Sequence, residues 1–444
     1  MGVLMQAFYW DCPKEENIEY NWWNYVKSKI SALKDAGFTA LWLPPVSKAA
    51  NNPSMGYDVY DYYDLGEFDQ KGSVRTWFGS KAELIELINS AHDNGLQVYA
   101  DLVINHNSGG DSKETNPIDD KTRWTKFVPK SEKFDRNWKC FHPSPYETWD
   151  GETFGDMPDL CHRNPYVYGH ILKYVRWLVE TVGFDGFRFD FVKGYGSWTA
   201  TSIQELRLKR NGEYFKPYGV GECWDSDRVI DNWLNQTNEW SDNPVGAFDF
   251  PLRERLKNLC DSYGYDLRNL AAPGTLLTDR PSEAVTFVEN HDIARTNPIV
   301  NDKILAYAFI LTHEGYPCVF WQDYFNFELS KEDSPDGIAA LVKIHEKNAG
   351  GTTTVLYADE GIYIMQRNGT PNQGGLILVL NNRGDTWNGH WVKTKWTNTK
   401  FKPQAWRSHQ PNVEAPMEKW TQTEGWGEFY APPRGYAVYL PQNA

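Results

Sequence analysis

Arg188 and Asp190 stand two residues apart in the apolar run GFDGFRFDFVKG, residues 183–194. On an extended strand that spacing turns both side chains to one side. Three more apolar runs end in residues capable of chemistry: DLVINH (101–106), GVGECW (219–224) and FVENHD (287–292). Four strand ends supplying Asp, Glu, His and Arg describe one site assembled from parallel strands. Asp190 and Glu222 are its paired carboxylates. Neighbouring strands lie about 4.8 Å apart, so acids on adjacent strand ends approach the ~5–5.5 Å separation with which a glycosidic bond is cleaved with retention. A guanidinium beside Asp190 favours the charged carboxylate, suited to nucleophilic attack. Glu222 lies between Gly221 and Cys223–Trp224, an apolar setting that favours the protonated acid. The plain alternative is a structural ion pair between Arg188 and Asp190.

Asp292 is a third carboxylate, placed to hold hydroxyls or to stabilise an oxocarbenium-like transition state. His106 and His291 each offer a neutral N–H donor. One histidine at a strand end is ordinarily a structural hydrogen-bonder, but two of them, each beside Asn or Asp, point to a site.

The elements that must carry these residues alternate. Strands are expected at 3–10, 39–46, 97–105, 186–192, 218–224, 247–252, 284–290 and 318–322. Helices are expected at 22–36, 80–95, 165–182, 198–208, 227–235, 253–262, 302–313 and 336–348. Ser80 with Glu83 reads as a capping box and Gly95 as the stop of that helix. Eight strand–helix pairs in about 350 residues fit an α/β fold, a (β/α)8 TIM barrel, better than an open sheet, and a barrel places its site at the C-terminal strand ends. Between His106 and His162 the alternation stops, which predicts a small domain inserted after strand three. After Gly350 short strands take over: TTTVLYAD, GIYIMQRNG, GLILVLNN, HWVKTKW and GYAVYLP, an antiparallel all-β sandwich domain. The expected division is a barrel at 1–105 and 163–349, an inserted domain at 106–162 and a C-terminal β-domain at 350–444.

Composition narrows the partners. A net charge of −14 argues against nucleic acid and suits a neutral substrate. Twenty Trp and 25 Tyr exceed what a core needs; their flat faces and polar edges match sugar rings. Trp22, Trp23, Trp387, Trp391, Trp396, Trp406, Trp420 and Trp426 are either outlying sugar platforms or core packing. Six scattered cysteines form no CxxC pair and indicate no disulfide framework. No stretch of 18 apolar residues exists, so no membrane-spanning helix is expected. MGVLMQAFYW reads as a first strand rather than a signal peptide. The expected location is outside the cell, with a leader removed and Met1 added, or else the cytoplasm.

DLVINH, GFRFDFVKG, GECW and FVENHD, with MPDLCH (157–162), resemble the five signature regions of the α-amylases, the retaining α-glucan hydrolases of glycoside hydrolase family 13. The resemblance, closest in style to archaeal and liquefying enzymes, covers almost the whole chain. It implies endo-acting hydrolysis of internal α-1,4 bonds of starch. Asp190 would be the nucleophile forming a covalent glycosyl-enzyme, Glu222 the general acid and then base, Asp292 the transition-state stabiliser and Arg188 the group that orients Asp190. His106 and His291 would bind the sugar at the cleaved bond. Tyr57 and Asp58, with Tyr60 nearby, match the family segment whose aromatics stack on that sugar, and Lys193 matches a contact on the leaving-group side. Many relatives carry His after this lysine; this chain has Gly194. A Ca²⁺ ion is implied, held by Asn105, Asp150, Asp159 and the backbone carbonyls of Glu152 and Gly194, hard oxygen donors of the kind calcium takes. Some archaeal relatives bind zinc through two His and one Cys; here His142 and Cys161 align, and Glu147 replaces the other His. A monomer is the family default. The rivals are a 4-α-glucanotransferase or a maltooligosaccharide-forming amylase with the same site, and a non-catalytic glucan-binding protein, against which all three acids speak.

Overall fold

In the computed structural model, residues 2–210 and 212–442 are described. Eight strands close into a barrel in chain order: β1 (Leu4–Gln6), β2 (Ala40–Leu43), β3 (Gln97–Leu102), β4 (Gly186–Phe189), β5 (Tyr218–Gly221), β6 (Gly246–Phe248), β7 (Ala284–Phe287) and β8 (Tyr316–Phe320), with β8 beside β1. Parallel ladders set Ala40 opposite Gln97, Asp101 opposite Arg188 and Phe189 opposite Gly221. Every residue of β4, β7 and β8 is buried. That explains why these strands read as continuous apolar runs rather than alternating ones.

A helix follows each strand: α1 (Trp22–Ala36), α2 (Lys81–Asp93), α3 (Pro165–Trp177), α4 (Trp198–Gln204), α5 (Asp227–Asn238), α6 (Phe250–Asp261), α7 (Ile304–Ile310) and α8 (Ile338–Asn348). Local chemistry sets several ends. The Ser80 hydroxyl accepts from the Glu83 N–H, and the Glu83 carboxylate accepts from the Ser80 N–H, the expected box. Past the other end of α2, Gly95 takes φ +72°, a conformation glycine adopts without strain. Asp249 caps α6 by accepting from Leu252 N–H, and Pro251 falls in the first turn. The strand expected to reach 252 therefore stops at Phe248. The helix expected over 165–182 changes to a wider five-residue turn at Leu178–Val182. The one expected over 198–208 ends at Gln204 and gives way to a small hairpin, Leu208–Arg210 with Glu213–Phe215.

The C-terminal strands are β9 (Thr353–Ala358), β10 (Ile362–Arg367), β11 (Leu376–Asn381), β12 (Asn388–Lys393), β13 (Lys400–Arg407), β14 (Lys419–Trp420), β15 (Trp426–Ala431) and β16 (Gly435–Gln442). Six form an antiparallel sheet in the order β9-β10-β11-β16-β13-β14, and β12 pairs with β15. Their core packs Ile362, Ile364, Ile377, Val379, Phe401, Phe429 and Tyr439. Sequence patterning misses β13, β14 and β15: β13 is bulged between Pro403 and Ala405, and β14 has only two residues.

The chain divides into two compact units. One comprises Met1–Gln6, Asp35–Thr39 and Asp249–Ala444; the other comprises Ala7–Lys34 and Ala40–Phe248. Within the latter, residues 106–162 carry the hairpin Ser112–Thr115/Thr122–Lys126 and single bridges between His106 and Asp159 and between Phe141 and Leu160. The tryptophans of the sequence reading separate by environment. Trp22 and Trp23 are wholly buried, Trp22 donating to the Ala7 carbonyl at 3.1 Å, so they are not sugar platforms. Trp396 and Trp406 pack against the C-terminal core, whereas Trp387, Trp391, Trp420 and Trp426 are exposed.

Candidate active site

Strand register brings the first set of site residues together. Phe189 faces Gly221, so the next residues along, Asp190 and Glu222, leave adjacent strands side by side. The Glu222 N–H donates to the Phe189 carbonyl at 2.9 Å and the Asp190 N–H to the Leu102 carbonyl at 3.2 Å, which continues both ladders to the strand tips. Gly221 lets this happen without a clash: a Cβ there would come within 2.2 Å of the Trp233 ring on α5.

Arg188 organises the cluster. Its Nη1 donates to Asp101 Oδ1 at 2.8 Å and to Asp190 Oδ1 at 2.5 Å, and its Nη2 lies 2.6 Å from Glu222 Oε1. All four side chains are buried. Burial alone would lower the guanidinium's affinity for its proton, but Asp101, Glu222 and Asp190 more than offset it and hold Arg188 well above its ordinary value. The apolar setting expected for Glu222 is therefore corrected: one of its oxygens is ion-paired. A guanidinium has no acceptor, so a proton on Glu222 belongs on Oε2, which accepts from the Phe191 N–H at 3.2 Å.

Asp101 is the residue sequence reasoning passed over, although it opens DLVINH. Its second oxygen accepts from Tyr57 Oη at 2.8 Å and Trp42 Nε1 at 3.1 Å. Burial pushes its carboxyl up to about 7, against the pull of Arg188 and with a further push from Asp190. The signal available in the sequence was its placement: an Asp flanked by Ala100 and Leu102 in a strand running on into Val103 and Ile104 demands buried partners. Tyr195, also overlooked, is buried among the same charges. Burial and then Asp190 raise its phenol well above the ordinary value.

Tyr57 also stacks on Trp10, with ring centroids 6.1 Å apart and planes 9° apart. Asp58 turns to Ser54 and Asn51, and Tyr60 bonds Asp111. His106 Nε2 donates to the Tyr57 carbonyl at 2.8 Å, and its ring stacks on Phe154 at 4.6 Å. Burial keeps His106 below its ordinary value and hence neutral. The proton expected to serve substrate is thus already engaged with backbone. Lys193 Nζ lies 3.1 Å from Asp225 and 3.5 Å from Glu152; Asp225 is a partner the sequence reading did not name.

His291 and Asp292 follow β7 in the other unit and are described there by themselves. Gln6 Nε2 donates to His291 Nδ1 at 3.0 Å. His291 Nε2 thus carries the proton, 3.2 Å from Asp292 Oδ2. The Asn290 side chain caps the N–H groups of Asp292 and Ile293 at 3.0 and 2.8 Å.

The expected calcium donors include oxygens that ask for a cation. Asn105 Oδ1 and both carboxylate oxygens of Asp159 are buried without a hydrogen bond. Asn105 Oδ1 faces the Gly194 backbone so closely that a Cβ there would approach it to 2.1 Å. Burial, then Asp150, pushes Asp159 up to about 8, against the pull of His142. Asp150 is 3.1 Å from His142 Nε2. Glu152 N–H donates to the Lys193 carbonyl at 3.0 Å, which draws that loop against Gly194. Among the described residues, His142, Asp150 and Asp159 converge, as do His142, Glu147 and Cys161.

A closed (β/α)8 barrel bearing paired carboxylates on adjacent C-terminal strand ends defines the class: a barrel hydrolase of glycosidic bonds. The family model described as alpha amylase, catalytic domain, matches residues 21–349, and that of the alpha-amylase C-terminal domain matches 376–440. The alpha-amylase of Geobacillus stearothermophilus is 34% identical over 377 residues, which cover 73% of this chain and 66% of that protein. The glucan 1,4-alpha-maltohexaosidase of Bacillus sp. (strain 707) is 31% identical over 486 residues, covering 96% and 90%. The crystal structure of the Geobacillus thermoleovorans alpha-amylase complexed with acarbose shares the fold at a TM-score of 0.69 and 18% identity, covering 100% of this chain and 98% of that one. The chain belongs to the alpha-amylase family of glycoside hydrolases.

Proposed function

We propose that the protein cleaves internal α-1,4 bonds of starch and related α-glucans with retention, through a glycosyl ester on Asp190. The observation that carries this is the side-by-side placement of Asp190 and Glu222 under one guanidinium. Arg188 takes Asp190 Oδ1, which assigns the attack on the anomeric carbon to Oδ2. As the glucosyl–oxygen bond breaks, Glu222 passes its proton from Oε2 to the leaving oxygen. Water then attacks the anomeric carbon of the ester, Glu222 takes a proton from that water, and Asp190 leaves as the carboxylate. Asp292 is the third acid of the proposal, stabilising positive charge at the ring, with His291 N–H fixing its orientation. Arg188 holds both reacting carboxylates; Tyr57, His106 and Lys193 line the substrate path.

Calcium is part of the proposal. Asn105, Asp150, Asp159 and the carbonyls of Glu152 and Gly194 would hold it, and it would fix the loop of His106 without touching the bond that breaks. The His142–Glu147–Cys161 group carries no part of this reading. The domain division at 105/106, 162/163 and 349/350 belongs to the proposal too, as do a monomeric state and a location outside the cell. Among the described residues no helix is long and apolar enough to cross a membrane.

A second reading, an amylase that releases one favoured maltooligosaccharide, draws support from the relative named a glucan 1,4-alpha-maltohexaosidase. Soluble starch tests both, together with transfer. Early products of mixed length with new reducing ends support endo-hydrolysis. One dominant length supports the second reading, and redistribution without new reducing ends supports a transferase. Undiminished turnover by Glu222→Gln would remove the acid/base assignment.

A further inference from the structure

The run FVENHD holds an acid that the proposed reaction does not use, Glu289. It stands two residues past β7 and three before Asp292, yet the two side chains face different surroundings. Glu289 is 1% exposed, whereas the Asp292 side chain is 34% exposed. Of the two, Asp292 is the one open to a ligand. The work of Glu289 is therefore set by its buried partners.

Its two oxygens serve different donors. Oε1 accepts the Ile299 N–H at 2.5 Å and lies 3.5 Å from Lys303 Nζ, and Oε2 accepts from Arg253 Nη2 at 3.3 Å. Arg253, on α6, is fully buried. Its Nε donates to the Val288 carbonyl at 3.2 Å, and its Nη2 also reaches the Asn297 carbonyl at 2.6 Å. Lys303, just before α7, pairs at 2.7 Å with Asp323, which lies past β8 and accepts from Tyr307 Oη at 2.6 Å. Two cations thus answer two buried acids. Burial raises the carboxyls of Glu289 and Asp323 above their ordinary values, and Lys303 is the strongest counterweight for each.

This network closes the loop that bears Asp292. The chain leaves β7, presents His291 and Asp292, makes one helical turn at Ile293–Thr296 and returns at Ile299. The carboxylate at the start of the loop holds the N–H at its end. Arg253 grips a carbonyl on either side, Val288 before and Asn297 after. Within the loop, Thr296 Oγ1 donates to the Asp292 carbonyl at 3.2 Å, and Asn290 makes the caps already described. An ion pair alone would need none of these backbone bonds. Together they fix where Asp292 stands, and a shift of about 1 Å in a reacting group costs about 10²-fold in rate.

We infer that Glu289 is a positioning residue for Asp292, acting through Ile299 and Arg253 on the loop that carries it. The inference rests on the glucan reading above and adds to it a residue that never touches the sugar. Glu289→Gln in the full chain tests it, because glutamine has one oxygen for two donors. Steady-state kinetics on soluble starch are taken well below the melting temperature of every variant. Glu289→Gln lowers kcat about tenfold or more and moves KM little. In an Asp292→Asn background the same substitution lowers kcat no further, since the group it positions is already gone. A lowered melting temperature with unchanged kcat makes the network merely structural and overturns the inference. So does a loss that multiplies in full with that of Asp292→Asn. Should Glu289→Gln fail to fold, judged by thermal melting, Arg253→Lys enters the same cycle: it keeps the charge, loses the fork that spans Val288 and Asn297, and is held to the same outcomes. Full kcat in Asp292→Asn itself overturns the role given to Asp292, and this inference with it. A wild-type protein that makes no new reducing ends from starch overturns the glucan reading instead.

Discussion

Asp101 and Arg188 face each other across paired strands, 2.8 Å apart and sealed from solvent. Asp101 touches Trp42, Tyr57 and the guanidinium, and the same guanidinium reaches Asp190 and Glu222. It is a positioning residue. Asp101→Asn keeps the shape and loses the charged acceptor. The expected cost is about 1–3 kcal/mol of stability, read from urea unfolding, with kcat lowered at least about tenfold as the guanidinium tilts.

Arg188→Lys tests the same arrangement from the cation side. Lysine is a point charge on a flexible stem and cannot span three carboxylates through a fixed fork. Steady-state kinetics on soluble starch should show kcat falling by about 10²-fold or more while KM moves little. A variant of wild-type activity would deny the guanidinium any part in holding the acids.

Nucleophile and acid separate by leaving group. With an aryl maltooligoside whose phenol needs no protonation, Glu222→Gln recovers much of the first step, because that step no longer calls for an acid. Asp190→Asn recovers nothing. The pre-steady-state burst of phenol is the measurement, and recovery by Asp190→Asn with none by Glu222→Gln would reverse the assignment of roles.

Chelation tests the metal. If Ca²⁺ satisfies the two bare oxygens of Asp159 and that of Asn105, EDTA lowers the melting temperature and added calcium restores it. Saturation at a hundred times Kd contributes about 2.7 kcal/mol. Asp159→Ala removes most of the response to calcium. A melting curve indifferent to both ions and chelator would leave these oxygens without the partner assigned to them.

His313 gives the acid limb of stability. Its Nδ1 donates to the Phe309 carbonyl at 2.8 Å, and its Nε2 accepts from Tyr363 Oη at 2.9 Å. The neutral ring is satisfied, and burial pushes it down to about 3. Between its ordinary value near 6.5 and about 3 the unfolded chain binds the extra proton. The contribution is therefore present above 6.5 and lost as pH falls towards 3. Stability should drop through this window by on the order of 1 kcal/mol per pH unit from this group. His313→Gln flattens that slope in urea titrations taken at successive pH values.

How far the sequence reaches depends on which forces are local. All eight barrel strands could be read because each is an apolar run closed by a turn, and the Ser80–Glu83 box lies within four residues. Strand ends were overrun wherever a cap such as Asp249 decides them. The bulged β13 and two-residue β14 have no periodicity to read. Asp190, Glu222 and Arg188 were legible because one strand or a pair of neighbours carries them. What remained hidden was set by partners distant in sequence: the ion pair of Glu222, the buried acceptor role of Asp101, and the backbone hydrogen bond that occupies His106. None of these follows from spacing, because each depends on which side chains the closed barrel turns inward.

All six cysteines are buried and unpaired, and burial lifts the thiols of Cys12, Cys223, Cys260 and Cys318 above their ordinary values. A thiolate, not a thiol, is what alkylating reagents attack. The native molecule is therefore silent towards such a dye, and each unfolding event uncovers half a dozen sulfhydryls together. Labelling rate becomes a running meter of how often the molecule comes apart, with no probe to be engineered in.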